Sequence, residues 1–198
     1  MAINFTNYHQ GPGKSWINCQ IPATGSRLLI DINGNPTQGS ALFASATEGA
    51  TTLSMTPKLE PQGADQVSSP IGVVATADAY EIDMEVKQSD LNLLRNYFPL
   101  GTFATGTDAG LPAGVQQYEE ISFGGIIPIP QTCIAVISQR KDNANKFVVS
   151  VLYNAYQAEA IKLPFERGKL TMYKVKFMGL ADSSRPNTDQ VGKIYRQL

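Results

Sequence analysis

From residue 81 to residue 86 the chain reads Glu-Ile-Asp-Met-Glu-Val, with a carboxylate at every odd position and an apolar side chain at every even one. Successive side chains on a β-strand point to opposite faces, so this period of two puts Ile82, Met84 and Val86 on one face and Glu81, Asp83 and Glu85 on the other. The same alternation returns near the carboxyl end, where Tyr173, Val175 and Phe177 turn inward and Lys174 and Lys176 outward. Further strand-like runs lie at 27–32, 40–46, 50–56, 71–87, 120–127, 132–138, 146–154 and 169–178. Asn33-Gly34 favours the positive φ angles of a tight turn, and the polar stretch 140–145 supplies a hairpin tip.

Only residues 89–98 carry a helical pattern. Ser89 caps the start, Asp90 sits at the positive end of the dipole, Leu91, Leu94 and Phe98 share a face, and Pro99 ends it. Residues 57–70 hold Pro57, Pro61 and Pro70 with no repeating apolar face and read as a long loop, which in a compact domain points to a binding partner. The glycine-rich stretch 100–117 reads as a second loop. Residues 1–25 and 181–198 read as arms. The expected fold is mainly β: one domain over 1–198, with a β-sandwich or strongly bent sheet over 26–180 and one short flanking helix.

Charged residues make up 17% of the chain, below the roughly 25% of ordinary soluble domains. Such a surface suits a subunit covered by neighbours, because buried unpaired charge is costly; it also suits an ordinary β-protein with polar loops. Residues 1–120 carry twelve acids against five bases and residues 121–198 five acids against eleven. This asymmetry either closes within one fold or matches one subunit to the next. Cys19 and Cys133 have no metal-like spacing and read as reduced thiols. The sequence shows neither a basic and apolar leader nor an apolar run near about eighteen residues, so neither secretion nor a membrane span is expected.

Catalytic patterns are weak. His9 is the single histidine and lies in the amino-terminal segment, so no multi-histidine metal site or oriented triad is expected. Gly13-Lys14-Ser15 lacks the first glycine of a phosphate loop, and Pro12 intrudes. Glu81, Asp83 and Glu85 are spaced at about 7 Å along a strand, compatible with glycoside hydrolysis, but no sugar cleft accompanies them. They read as a solvated face or as an acidic wall that would repel phosphate. The carboxyl-terminal bases mix with tyrosines at no nucleic-acid motif spacing. Phe5 and Trp16 read either as interface anchors or as side chains folded back on their own domain.

Three segments, residues 44–53, 64–74 and 179–192, resemble stretches of major tail proteins, the tail tube subunits of long-tailed bacteriophages, and occur in the same order. The helix expected at 89–98 also sits where those proteins carry their flanking helix. The resemblance implies a non-enzymatic, cofactor-free virion protein. Its copies would join in a ring, usually a hexamer, around a lumen that passes phage DNA without sequence-specific binding, and the rings would stack. It further implies contacts with tape-measure, terminator and baseplate or tip proteins, and assembly in the host cytoplasm. On that basis Glu81, Asp83 and Glu85 are lumen candidates, and Leu59, Glu60, Gln62, Asp65 and Gln66 are candidates for an inter-ring loop. Phe5, Trp16, Arg185 and Tyr195 are candidates for anchoring the arms. Two alternatives are a head decoration or head-tail joining protein, and a carbohydrate-binding β-sandwich using Tyr118 or Phe103.

Overall fold

The structure, a computed structural model, describes residues 9–22, 27–44, 51–64, 67–87, 91–97, 101–124, 129, 131–163 and 172–198. The strands are β1 His9–Ile17, β2 Leu42–Phe43, β3 Thr52–Ala64, β4 Val67–Val86, β5 Gly101–Thr107, β6 Gln117–Phe123, β7 Thr132–Arg140, β8 Phe147–Gln157, β9 Tyr173–Leu180 and β10 Gly192–Arg196; α1 is Leu91–Tyr97. The fold is mainly β, and every strand pairing is antiparallel. The main sheet runs β2-β1-β7-β8-β9-β4-β3, with β10 also on β8, while β5 and β6 form a separate two-stranded ribbon.

β8 explains how the sheet bends. One of its edges pairs with β7, and the other is divided: Val148–Leu152 take β10, and Asn154–Gln157 take β9. The fork falls at Tyr153, whose amide donates to the Val191 carbonyl. Both faces of β7 and β8 are covered, as the nearly unbroken apolar run 147–153 requires. On one face Ile134, Leu152 and Ala155 join Ile82, Met84, Val86, Val175, Phe177 and the helix. On the other, Ala135, Ile137, Val149, Val151 and Tyr153 pack against Cys19, Leu28 and Phe147. Each fully buried side chain of this kind stabilises the fold by about 1.5–3 kcal/mol.

Several expectations are corrected. Residues 57–70, read as a loop, lie largely in the hairpin of β3 and β4. Pro57 and Pro61 are accommodated because β3 is the outermost strand, where a missing N–H breaks no ladder. The described part of the amino-terminal arm begins with strand β1. Gly13 lets it approach β7, since a Cβ there would lie 2.6 Å from Val136 Cγ1. The carboxyl-terminal arm contains β10 and is pinned at its end, where Phe147 and Gln197 exchange hydrogen bonds and Arg140 donates to the Gln197 carbonyl. The loop at 100–117 begins with β5. Among the described residues, 27–32 make a single bridge, Ile30 to Pro36, around the expected Asn33-Gly34 turn. In that turn the Asp31 carboxylate accepts from the amides of Asn33 and Asn35.

The helix turns the expected Leu91 and Leu94 toward the core and adds Leu93 and Tyr97 to them. Its buried stripe is Leu93, Leu94 and Tyr97, with Leu91 partly covered; Ser89, Asp90 and Phe98 lie outside the described residues. Tyr97 is fully buried, sits edge-on to Tyr173 at 6.0 Å and donates to the Ala44 carbonyl at 3.0 Å. This contact ties the helix flank to the strand β2 region.

Candidate functional site

Alternation places Glu81, Asp83 and Glu85 on the outward face of β4, opposite Met178, Lys176 and Lys174 of β9. Lys174 Nζ lies 3.0 Å from Glu85 Oε1, and Lys176 Nζ lies 3.0 Å from Glu81 Oε2 and 3.3 Å from Glu159 Oε1. The hydrogen bonds Lys176 donates to Glu81 first, then to Glu159, raise its pKa and hold it charged. The face is therefore a cross-strand charge ladder. Glu81, Asp83, Glu85 and Glu159 outnumber Lys174 and Lys176 by two, so it keeps a net negative sign. A shallow cleft of about 380 Å³ runs along it, lined by Asp83, Glu85, Glu159, Lys174 and Lys176. Part of the charge asymmetry along the chain thus closes within the subunit.

A second feature comes from the length of β3 and β4. Among the described residues β9 pairs with β4 only over Glu81–Val86, and outward of this stretch β4 has β3 as its sole described ladder partner. From Thr56 and Ala79 the two strands run on as a ribbon for about 30 Å. It carries exposed apolar side chains: Leu59 is 56% exposed, Val73 61% and Val74 42%. Glu60 and Gln62 are exposed on the same ribbon, and the weak Lys58–Glu60 contact is solvent-facing. Asp65 and Gln66 lie outside the described residues. A two-stranded ribbon is at best marginally stable alone in water, so its apolar side chains call for a covering surface.

The anchor candidates lie elsewhere. Trp16 is part of β1, packs on Phe43 at 5.2 Å and joins the second core cluster, so it folds back on its own chain. Its Nε1 is buried and meets no hydrogen-bond acceptor among the described residues. Arg185 stacks 3.7 Å over the Tyr153 ring and pairs with Asp182. The Tyr153 hydroxyl donates to Asp189, which also pairs with Lys193. Tyr195 donates to the Leu28 carbonyl, and burial pushes its pKa up to about 12. Phe5 lies outside the described residues.

Chemistry is sparse. Among the described residues no three His, Cys, Asp or Glu side chains gather to hold a metal. His9 heads β1 opposite Arg140. Tyr118 is 43% exposed on the β5–β6 ribbon, and Phe103 is half-buried with the Arg95 guanidinium 6.0 Å from its ring. Of these features, the ribbon as a strand pair was not anticipated from sequence. Val73 and Val74 lie in the strand expected over 71–87, whereas the partner side around Leu59 is hidden by Pro57 and Pro61. No protein-family model matches the chain, and no curated protein matches it significantly.

Proposed function

We propose that the chain is a structural, non-catalytic subunit of a bacteriophage tail tube: copies join around a lumen that conducts DNA, and the rings so formed stack into a cylinder. The observation that carries this reading is the β3–β4 ribbon, which extends beyond the subunit's own sheet with apolar side chains in solvent. A subunit meant to stay alone gains nothing from such an arm. A subunit that stacks gains a covered surface on the next ring. The resemblance of residues 44–53, 64–74 and 179–192 to tail tube proteins supports the same role, since two of those segments flank or include the ribbon.

Charge supports the orientation. The β4–β9 face retains a net negative sign despite its lysines, and a wall of that sign would keep phosphate from adhering during passage. Glu81, Asp83 and Glu85 are assigned to the lumen on this ground. Partners on the same reading are further copies of the chain, the other tail proteins, and DNA held without base contacts.

Electron microscopy of the concentrated protein tests the proposal. Hollow tubes are expected from the full chain. A variant in which residues 57–77 are replaced by a short Asn-Gly turn is expected to stay folded by circular dichroism but to stop at single rings or free subunits. A full chain that remains monomeric at high concentration and labels only the head shell of particles would overturn it.

A further inference from the structure

The chain leaves the regular β1–β7 ladder at Asn18, the one non-glycine residue with positive φ, 55°, among the described residues. Its amide donates to Thr132 Oγ1 at 3.0 Å, its Oδ1 accepts from the same hydroxyl at 2.7 Å, and its Nδ2 donates to Asn96 Oδ1 at 2.9 Å. Up to this point Ile17 faces Ile134, a register whose continuation would set Cys19 opposite Thr132. The left-handed residue shifts it by one, and the Cys19 amide donates to the Cys133 carbonyl at 3.1 Å. Both cysteines are free and pack in the same apolar cluster. Interaction with the Cys133 side chain, then burial, raises the pKa of Cys19. Cys133 is only half-buried.

We infer that Cys19 and Cys133 form a redox-modification site, a facing dithiol that closes to an intramolecular disulfide when a small-molecule disulfide oxidant is supplied. The solvent-reachable Cys133, as thiolate, attacks one sulfur of the oxidant; a mixed disulfide forms and one small thiolate leaves. The Cys19 sulfur then attacks the Cys133 sulfur, and its proton passes to the second departing thiolate. A Cys19–Cys133 bond results, the protein loses two hydrogens with two electrons, and the oxidant is reduced to two thiols. The second step is the slower, because the buried Cys19 is held protonated and only the thiolate is nucleophilic. The bond would staple the end of β1 to β7 and close a long loop, which restricts the unfolded chain and raises the unfolding temperature. This inference is independent of the proposed role in a tail.

The test uses the full reduced chain with glutathione disulfide at neutral pH, followed by alkylation in denaturant and intact-mass measurement. The expected product is two hydrogens lighter than the reduced chain, carries no alkyl group, yields a cross-linked peptide joining Cys19 and Cys133, and melts at a higher temperature that reductant reverses. C19S is expected to stop at a glutathione adduct on Cys133. A wild-type protein that ends as a lasting glutathione adduct, or keeps two alkylatable thiols after prolonged exposure while still folded, overturns the inference. Because wild type alone decides the outcome, poor folding of C19S leaves the test intact.

Discussion

Lys176 Nζ lies 3.0 Å from Glu81 Oε2, bridging β9 to β4 across the face that alternation makes acidic. With Glu159 at 3.3 Å, this lysine holds two carboxylates together. Lys176→Gln removes the bridging charge and leaves both acids facing each other. A small fall in the thermal midpoint is expected, because exposed ion pairs contribute modestly. The Lys176 pKa is raised on folding, so its contribution is complete below the unfolded value of 10.5 and fades as pH rises through the higher folded value. Melting curves of wild type and variant should differ at pH 7 to 9 and converge in stronger alkali; a gap that persists there would sink the assignment.

Acid should act through a different set of groups. Asp142 is held below the usual carboxylate range chiefly by the hydrogen bond from Arg140, Asp182 by the Ser184 hydroxyl, and Asp31 by the Asn35 amide. At Asp189 burial pushes upward, but hydrogen bonds from Lys193 and Tyr153 outweigh it and the pKa is lowered. A depressed folded pKa contributes stability that is present above the unfolded value, 3.8, and is lost as pH falls through the folded one. Urea midpoints should therefore be level from pH 7 to 5 and drop below about pH 4. Asp182→Asn should flatten part of that drop.

The Asn33-Gly34 turn offers a sharper test of backbone conformation. Gly34 has φ of 76°, and a Cβ there would lie 2.7 Å from the buried Phe147 ring. Gly34→Ala combines left-handed strain of about 1–2 kcal/mol with a steric clash, so a loss of about 2 kcal/mol or more is expected in denaturant titrations. An unchanged midpoint would show that the turn relaxes freely.

These cases also show what the sequence makes legible. The turn at Asn33-Gly34, the hairpin tip at 140–145 and the inward sets Ile82, Met84, Val86 and Tyr173, Val175, Phe177 could be read directly, because local chemistry and burial impose the same pattern there. The β3 side of the ribbon could not, since Pro57 and Pro61 break strands in a sheet interior, and only the position of β3 at the edge removes that objection. β1 was obscured for a related reason: Gly11-Pro12-Gly13 reads as a lead-in, yet a register shift between Gln10 and Lys14 absorbs it. The charge ladder needed partners far apart in sequence. Glu81 and Lys176 each look solvated until the β4–β9 register sets their strands side by side. Leu93 and Tyr97 join the expected Leu91 and Leu94 against the core, and the Tyr97 hydroxyl finds the Ala44 carbonyl, a contact no local rule specifies.

That contact is itself measurable. Tyr97→Phe keeps the ring against Tyr173 and Phe177 but leaves the buried Ala44 carbonyl without its donor. The expected loss is about 1–3 kcal/mol with an unchanged denaturant slope. Tyr97→Ala also opens a cavity beneath the helix and should cost about 3–5 kcal/mol. Equal losses in the two variants would mean that the ring contributes no packing.

Folding and assembly are separable at the ribbon. Leu59 and Val73 are more than half exposed, so replacing both with Asp removes little burial from the isolated subunit. Surface substitutions of this kind change stability by about 0.5 kcal/mol or less, so the melting temperature should stay close to that of wild type. In a stacked assembly the same side chains would be covered, and two buried carboxylates without partners would oppose association strongly. L59D/V73D is therefore expected to sediment as the free subunit or single ring under conditions in which wild type forms large species. Wild-type-like assembly by this variant would mean that the ribbon takes no part in the contact between subunits, and the apolar side chains along β3 and β4 would then need another partner.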